Sequence, residues 1–104
     1  MNKKTLLGHC TVDSGQILIL DPCYFGDWKD NEAFSNYKKD FSYAGACNAS
    51  ESPKLGGQLK AQNGGIRAVC ATSGLGDGIY PVYAEYEQNE KDGKTIKSLT
   101  IEFL

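Results

Sequence analysis

The chain has 104 residues, enough for one domain with a modest core and too few for two. Hydrophobic residues make up 40% and charged residues 23%, the balance of an ordinary globular protein. A formal net charge of -2, with Arg67 as the only arginine, excludes the basic footprint of a nucleic-acid polymer binder.

No apolar run approaches the roughly 20 residues that span a bilayer, so no membrane partner is expected. The start, Met1-Asn2-Lys3-Lys4-Thr5-Leu6-Leu7, is basic and then apolar, but Gly8-His9-Cys10 interrupts it after two leucines. That leaves no hydrophobic region of a signal peptide, and a cytoplasmic location is the expectation. Cys10, Cys23, Cys47 and Cys70 are widely and irregularly spaced, with no C-x-x-C pair. Buried reduced thiols are the expected reading; a Cys₃His zinc site with His9, drawn from four distant segments, is the alternative.

In chain order, residues 6–12 alternate in a way that predicts a first strand. Asp13-Ser14-Gly15 predicts a turn, and Gln16-Ile17-Leu18-Ile19-Leu20 a central strand covered on both faces, the two strands forming a hairpin. Pro22 ends the second strand. The segment that follows, Asp21-Pro22-Cys23-Tyr24-Phe25-Gly26-Asp27-Trp28, is dense in aromatics and predicts either a core plug or a pocket wall. A short helix is predicted over residues 32–39, capped by Asp30 or Asn31, with Phe34 and Tyr37 inward. A strand of small residues is expected over 41–47, a polar loop over 48–54 and a weak edge strand over 56–62. Asn63-Gly64-Gly65 is a turn signal, and residues 66–72 form the next strand.

The longest strand is predicted over 79–88, with Tyr80, Val82, Ala84 and Tyr86 on one face. A polar hairpin loop with Asp92-Gly93 leads to a last strand over 95–103, expected to bury Leu99, Ile101 and Phe103 against Val82 and Ala84. Six or seven strands and one short helix predict a mainly β fold, a small antiparallel β-sandwich or partly open barrel in a single domain.

The densest cluster of special residues is Ser73-Gly74-Leu75-Gly76-Asp77-Gly78-Ile79-Tyr80-Pro81-Val82. Its glycines do not make G-x-G-x-x-G, since the last would fall on Ile79, and they lead into a strand, not a helix. There is no Walker lysine and no calcium loop. Two readings stand open for it: a structural bulge, or a loop displaying N–H groups to a ligand. Arg67 with Ser73 and Asp77 would suit an anionic or hydroxyl-rich ligand; the bland reading pairs Arg67 with Glu85 or Glu87 across a sheet. His9 and Cys10 are adjacent on a strand, so they point to opposite faces and cannot pair as base and nucleophile. No catalytic set, metal site or cofactor is therefore assigned.

Asp13-Ser14-Gly15…Asp21-Pro22 together with Gly76-Asp77-Gly78-Ile79-Tyr80-Pro81-Val82 resembles an uncharacterised family of small bacterial and bacteriophage proteins with an S-G…D-P segment and a G-D-G-x-Y-P-V stretch. The resemblance implies where to look, and a phage or mobile-element setting in which small proteins sequester a signal molecule or block a host protein. The expectation is a non-catalytic binding module whose Tyr24, Trp28, Arg67, Ser73, Gly76, Asp77 and Tyr80 surround a small polar or nucleotide-like ligand. A host protein is the alternative partner, a small hydrolase using Cys or carboxylates is a third and weaker reading, and a second copy of the chain, joined through an edge strand, is a further candidate.

Overall fold

A computed structural model describes residues 3–29, 39–91 and 93–104. Its spine is one long antiparallel ribbon. The first arm is β1 (Lys4–Val12) continued by β2 (Gln16–Leu20); the second is β4 (Ile66–Thr72) continued by β5 (Gly78–Asn89). Val12 faces Gly78 at the end of the β1–β5 ladder, and Gln16 faces Thr72 at the start of the β2–β4 ladder. The amide of Ser73 donates to the carbonyl of Gly15 at 3.0 Å, carrying the ladder into the joint between them. A third strand then joins the second arm at each end: β6 (Gly93–Ile101) beside β5, and β3 (Gly56–Lys60) beside β4.

The result is two three-stranded antiparallel sheets, β1-β5-β6 and β2-β4-β3. The expected mainly β, small sandwich-like fold is found in open form, since neither sheet closes into a barrel. Stringing both sheets along one ribbon lengthens the molecule. Its radius of gyration is 15.6 Å, against about 13 Å for a compact chain of this size.

Two strand expectations are corrected. β1 and β2 form no hairpin: Asp13-Ser14-Gly15 bends the chain without reversing it, because both strands take their partners from the continuous run 68–85. β2 is consequently an edge strand and not a central one; Ile19 is 58% exposed, while Leu18 and Leu20 turn to the core.

The expected strand over 41–47 is instead the start of the helix α1 (Tyr43–Ser50), which also takes in the first half of the expected loop. Ser42 is its N-cap: the backbone there is extended and the hydroxyl accepts from the Gly45 amide at 3.0 Å. Alanine is the best helix former, and Ala46 and Ala49, three apart, lie on the buried side. Gly45 permits a close approach that no other residue allows, since a Cβ there would land on the backbone of Asp40. The helix expected over 32–39 lies outside the described residues except for Lys39, which stands in no helix.

The core sits between α1 and the β2-β4-β3 sheet. Phe41, Ala46, Ala49, Leu59, Ala68 and Cys70 are buried there, with Leu18, Leu20, Tyr24 and Trp28 packed around them. Among the described residues, the other sheet supplies none of this cluster. Leu99 stands opposite Ala84 as expected, yet it is 59% exposed while Ala84 is fully buried.

Candidate functional site

The structure divides the seven expected ligand residues into two groups at opposite ends of β4. Arg67 lies beside the Leu20–Ala68 end of the sheet, with the Asp21-Pro22 corner; Ser73 lies beyond the Gln16–Thr72 end. Six residues of extended chain separate them, about 20 Å.

Ser73, Gly76, Asp77 and Tyr80 belong to the ribbon joint. Gly74, Gly76 and Gly78 all have positive φ (66°, 114° and 159°), and a Cβ on Gly74 would stand 2.6 Å from the Cβ of Phe103. The buried Ser73 hydroxyl donates to the Gly76 carbonyl at 2.7 Å, and the Tyr80 hydroxyl donates to the same oxygen at 2.6 Å. The Tyr80 ring meets Phe103 edge-on at 5.2 Å. These side chains are spent on closing the loop. Asp77 is left exposed, and Leu75 at the tip is 85% exposed.

Tyr24, Trp28 and Arg67 are brought together at the other end. Asp21 accepts from the Cys23 amide at 2.9 Å and caps a 3₁₀ helix (Pro22–Asp27), with Pro22 at its first position where a missing N–H costs nothing. That single tight helix turns Tyr24 inward toward β4 and delivers Trp28 against Phe41, the rings edge-on at 5.2 Å. The Arg67 guanidinium lies 4.2 Å above the Tyr24 ring, a cation–π contact. Its Nη1 donates to the carbonyl of Ile66 at 3.2 Å; its Nε is buried and has no partner among the described residues. The expected pairing with Glu85 or Glu87 is not found, because those residues lie in the other sheet.

Beside Trp28 and Arg67 opens a cleft of about 500 Å³. Trp28 and Phe41 supply its apolar wall, Arg67 and Lys60 its basic side. Asp27 and Asp40 line it as well, and Gln62 and Asn63 of the β3–β4 turn add amide groups. The wall is held by backbone bonds: Phe41 donates to the Lys60 carbonyl at 2.9 Å and Tyr43 to the Lys29 carbonyl at 2.8 Å. Ser42, buried, links this wall to the start of α1. An aromatic face beside a stacked guanidinium can hold a flat ring and an anionic group at once.

Sequence reasoning missed Phe41, Lys60, Gln62 and Asn63. The Asn63-Gly64-Gly65 turn was a usable signal for the last two, because a hairpin places residues just before it next to Arg67. Phe41 carried no such signal, since its position depends on the segment 39–42 lying along the end of β3.

The thiols and His9 are spread over the molecule. His9 faces Pro81 and Cys10 faces Tyr80 on opposite sides of β1, Cys23 is exposed in the 3₁₀ helix, and Cys47 and Cys70 each hydrogen-bond the Gln16 amide. Among the described residues no three His, Cys, Asp or Glu side chains gather as a metal site. None of the described helices is long and apolar enough to cross a membrane.

A family model described as a protein of unknown function, DUF4241, matches residues 8–96. No curated protein and no solved structure matches the chain.

Proposed function

The chain belongs to the DUF4241 family, and from its own geometry we propose that it is a non-catalytic binding module that takes a small, nucleotide-like anion into the Trp28–Phe41–Arg67 cleft. The observation that carries this reading is Arg67. A guanidinium stacked on Tyr24, whose buried Nε has no partner and which meets no carboxylate among the described residues, is not an ordinary surface ion pair. Buried polar groups without partners cost stability, and active and binding sites are where such a cost is retained. The flat ring of the ligand would lie against Trp28, and its anionic group would take the fork of Arg67 with Lys60 alongside. In a phage-encoded setting, such a module would act by sequestering a signalling nucleotide in the host cytoplasm.

Trp28 is the only tryptophan, so its fluorescence reports on this cleft alone. Titration with nucleoside monophosphates is expected to quench it saturably, with the matching nucleoside and inorganic phosphate each binding far less well. Arg67→Ala should weaken the monophosphate by about ten- to a hundredfold, the worth of one charge-assisted contact. Unchanged affinity in that variant, or no quenching by any nucleotide, would remove the proposal.

A second reading has its own observation. Leu6, Leu7, Ile79, Ile96 and Leu99 are each about half or more exposed on the β1-β5-β6 sheet. Leu6 and Ile79 lie on one face of that sheet and Ile96 and Leu99 on the other; such exposed faces suit a host-protein partner or a second copy of the chain. Co-purification of a stoichiometric protein partner that is lost on Leu99→Asp, with Trp28 fluorescence indifferent to nucleotides, would favour it.

A further inference from the structure

The polar cluster beneath α1 lies apart from the cleft and does not depend on its reading. The side chain of Gln16, on β2, reaches between two thiols. Its Nε2 donates to Cys47 Sγ at 3.4 Å, and its Oε1 accepts from Cys70 Sγ at 3.3 Å and from the Ser50 hydroxyl at 2.8 Å. Ser50 Oγ is also 3.5 Å from Cys70 Sγ. Both sulfurs thus touch the two ends of one amide, which holds them within about 9 Å of each other.

The two thiols are not equivalent. Cys70 is 1% exposed and sits in the central strand β4, whereas Cys47 is half-buried on α1, one turn after Tyr43. The Tyr43 hydroxyl hydrogen-bonds to Cys47, so the Cys47 sulfur is approached by two polar groups, this hydroxyl and the Gln16 amide. Its partial exposure also makes Cys47 the sulfur that a small hydroperoxide reaches first. Cys70 is the more deeply buried partner, reached only from within the protein.

We infer that Cys47 and Cys70 are a peroxide-sensitive pair, in which Cys47 is oxidised first and Cys70 closes it to a disulfide that staples α1 to β4. The Cys47 thiolate attacks the near oxygen of a hydroperoxide; the O–O bond breaks and the alkoxide leaves, taking a proton to become the alcohol. Cys47 is then the sulfenic acid. The Cys70 sulfur, giving up its proton, attacks Cys47 Sγ; the S–O bond breaks and hydroxide leaves as water. Two thiols are oxidised, one hydroperoxide is reduced, and the chain is lighter by two hydrogens. Closure requires the Gln16 amide to withdraw and each sulfur to swing to another staggered position about its Cα–Cβ bond. Ser50 is left to keep the Gln16 oxygen satisfied.

The test is to treat the reduced, folded protein with hydrogen peroxide at neutral pH, block the remaining thiols with an alkylating agent, and map the digest by mass spectrometry. A Cys47–Cys70 linked peptide is expected, reversed by a dithiol reductant, formed equally in Cys23→Ser and absent in Cys70→Ser. In Cys70→Ser, Cys47 should instead be trapped as the sulfenic acid by a dimedone probe, which shows that the variant keeps the reactive thiol and was not merely unfolded. The oxidised wild type should also melt at a higher temperature than the reduced form. The inference is overturned if Cys47 and Cys70 both remain open to alkylation after exposed Cys23 has been consumed. It is equally overturned if Cys47 pairs with Cys23 or with a second chain.

Discussion

The two sheets share one ribbon and yet live in different environments. The β2-β4-β3 sheet holds a layer of its own: α1 and the aromatic corner of Tyr24 and Trp28 cover it, and Leu59, Ala49 and Cys70 are essentially lost to solvent. The β1-β5-β6 sheet is longer and better paired, but among the described residues it supplies none of that core cluster, and Ile79 is left 67% exposed. Hydrogen bonding alone therefore does not make a core; the covered sheet has one because a helix of small residues can approach it closely. A hairpin or short sheet without a covered apolar face is marginal on its own, so the exposed half depends on the covered half through the ribbon joint. That joint is where Ser73 and Tyr80 are used.

The comparison is broken most sharply at Leu59. Leu59→Ala should cost about 2–5 kcal/mol, read as a fall in the urea midpoint, because α1 and the sheet cannot collapse into the space together. A loss below about 1 kcal/mol would mean that the helix layer is not what stabilises this half. The next effect belongs to pH. Burial raises the Cys70 thiol pKa above its ordinary value, with the Ser50 hydrogen bond working against it. The folded chain then keeps a proton that the unfolded chain gives up. Stability is thus full below the ordinary thiol value of about 8.5 and declines as pH rises through and beyond it. Tyr43, raised chiefly by the neighbouring Cys47 charge, adds a loss of the same sign at higher pH. Urea midpoints measured from about pH 7 to about pH 9.5 should fall in the wild type and fall less in Cys70→Ala.

How far these differences were legible follows from where their causes lie. Strands β4 and β5 were legible because their alternation and the Asn63-Gly64-Gly65 turn are local signals. The helix α1 was not. Ala44, Gly45, Ala46 and Ala49 give no contrast between faces, and what makes them helical is the Ser42 cap and burial against Leu59. The candidate site was legible as a set of residue types and not as a place. Tyr24, Trp28 and Arg67 do meet, because the Asp21-Pro22 corner packs on the same strand end. Ser73, Gly76, Asp77 and Tyr80 fall elsewhere because Asp13-Ser14-Gly15 bends the chain where a hairpin was expected. That choice is made by strands more than fifty residues away, whose pairing no local pattern announces.

The smallest expected effect decides what the open sheet is for. Leu99 stands opposite Ala84 and is mostly in water, so Leu99→Ala in dilute solution should change stability by less than about 0.5 kcal/mol. Its value lies in the contrast with Leu59, a leucine of the same size in the covered half. If the sheet is open in the isolated chain, the wild-type urea midpoint is independent of protein concentration and both proteins unfold together at every concentration. If a second copy covers this face, the wild-type midpoint rises with concentration by mass action, and Leu99→Ala loses that rise before it loses anything else. A concentration-dependent gap between the two proteins would place the missing layer in a partner. Its absence would leave the open face to a different protein, or to no role in binding.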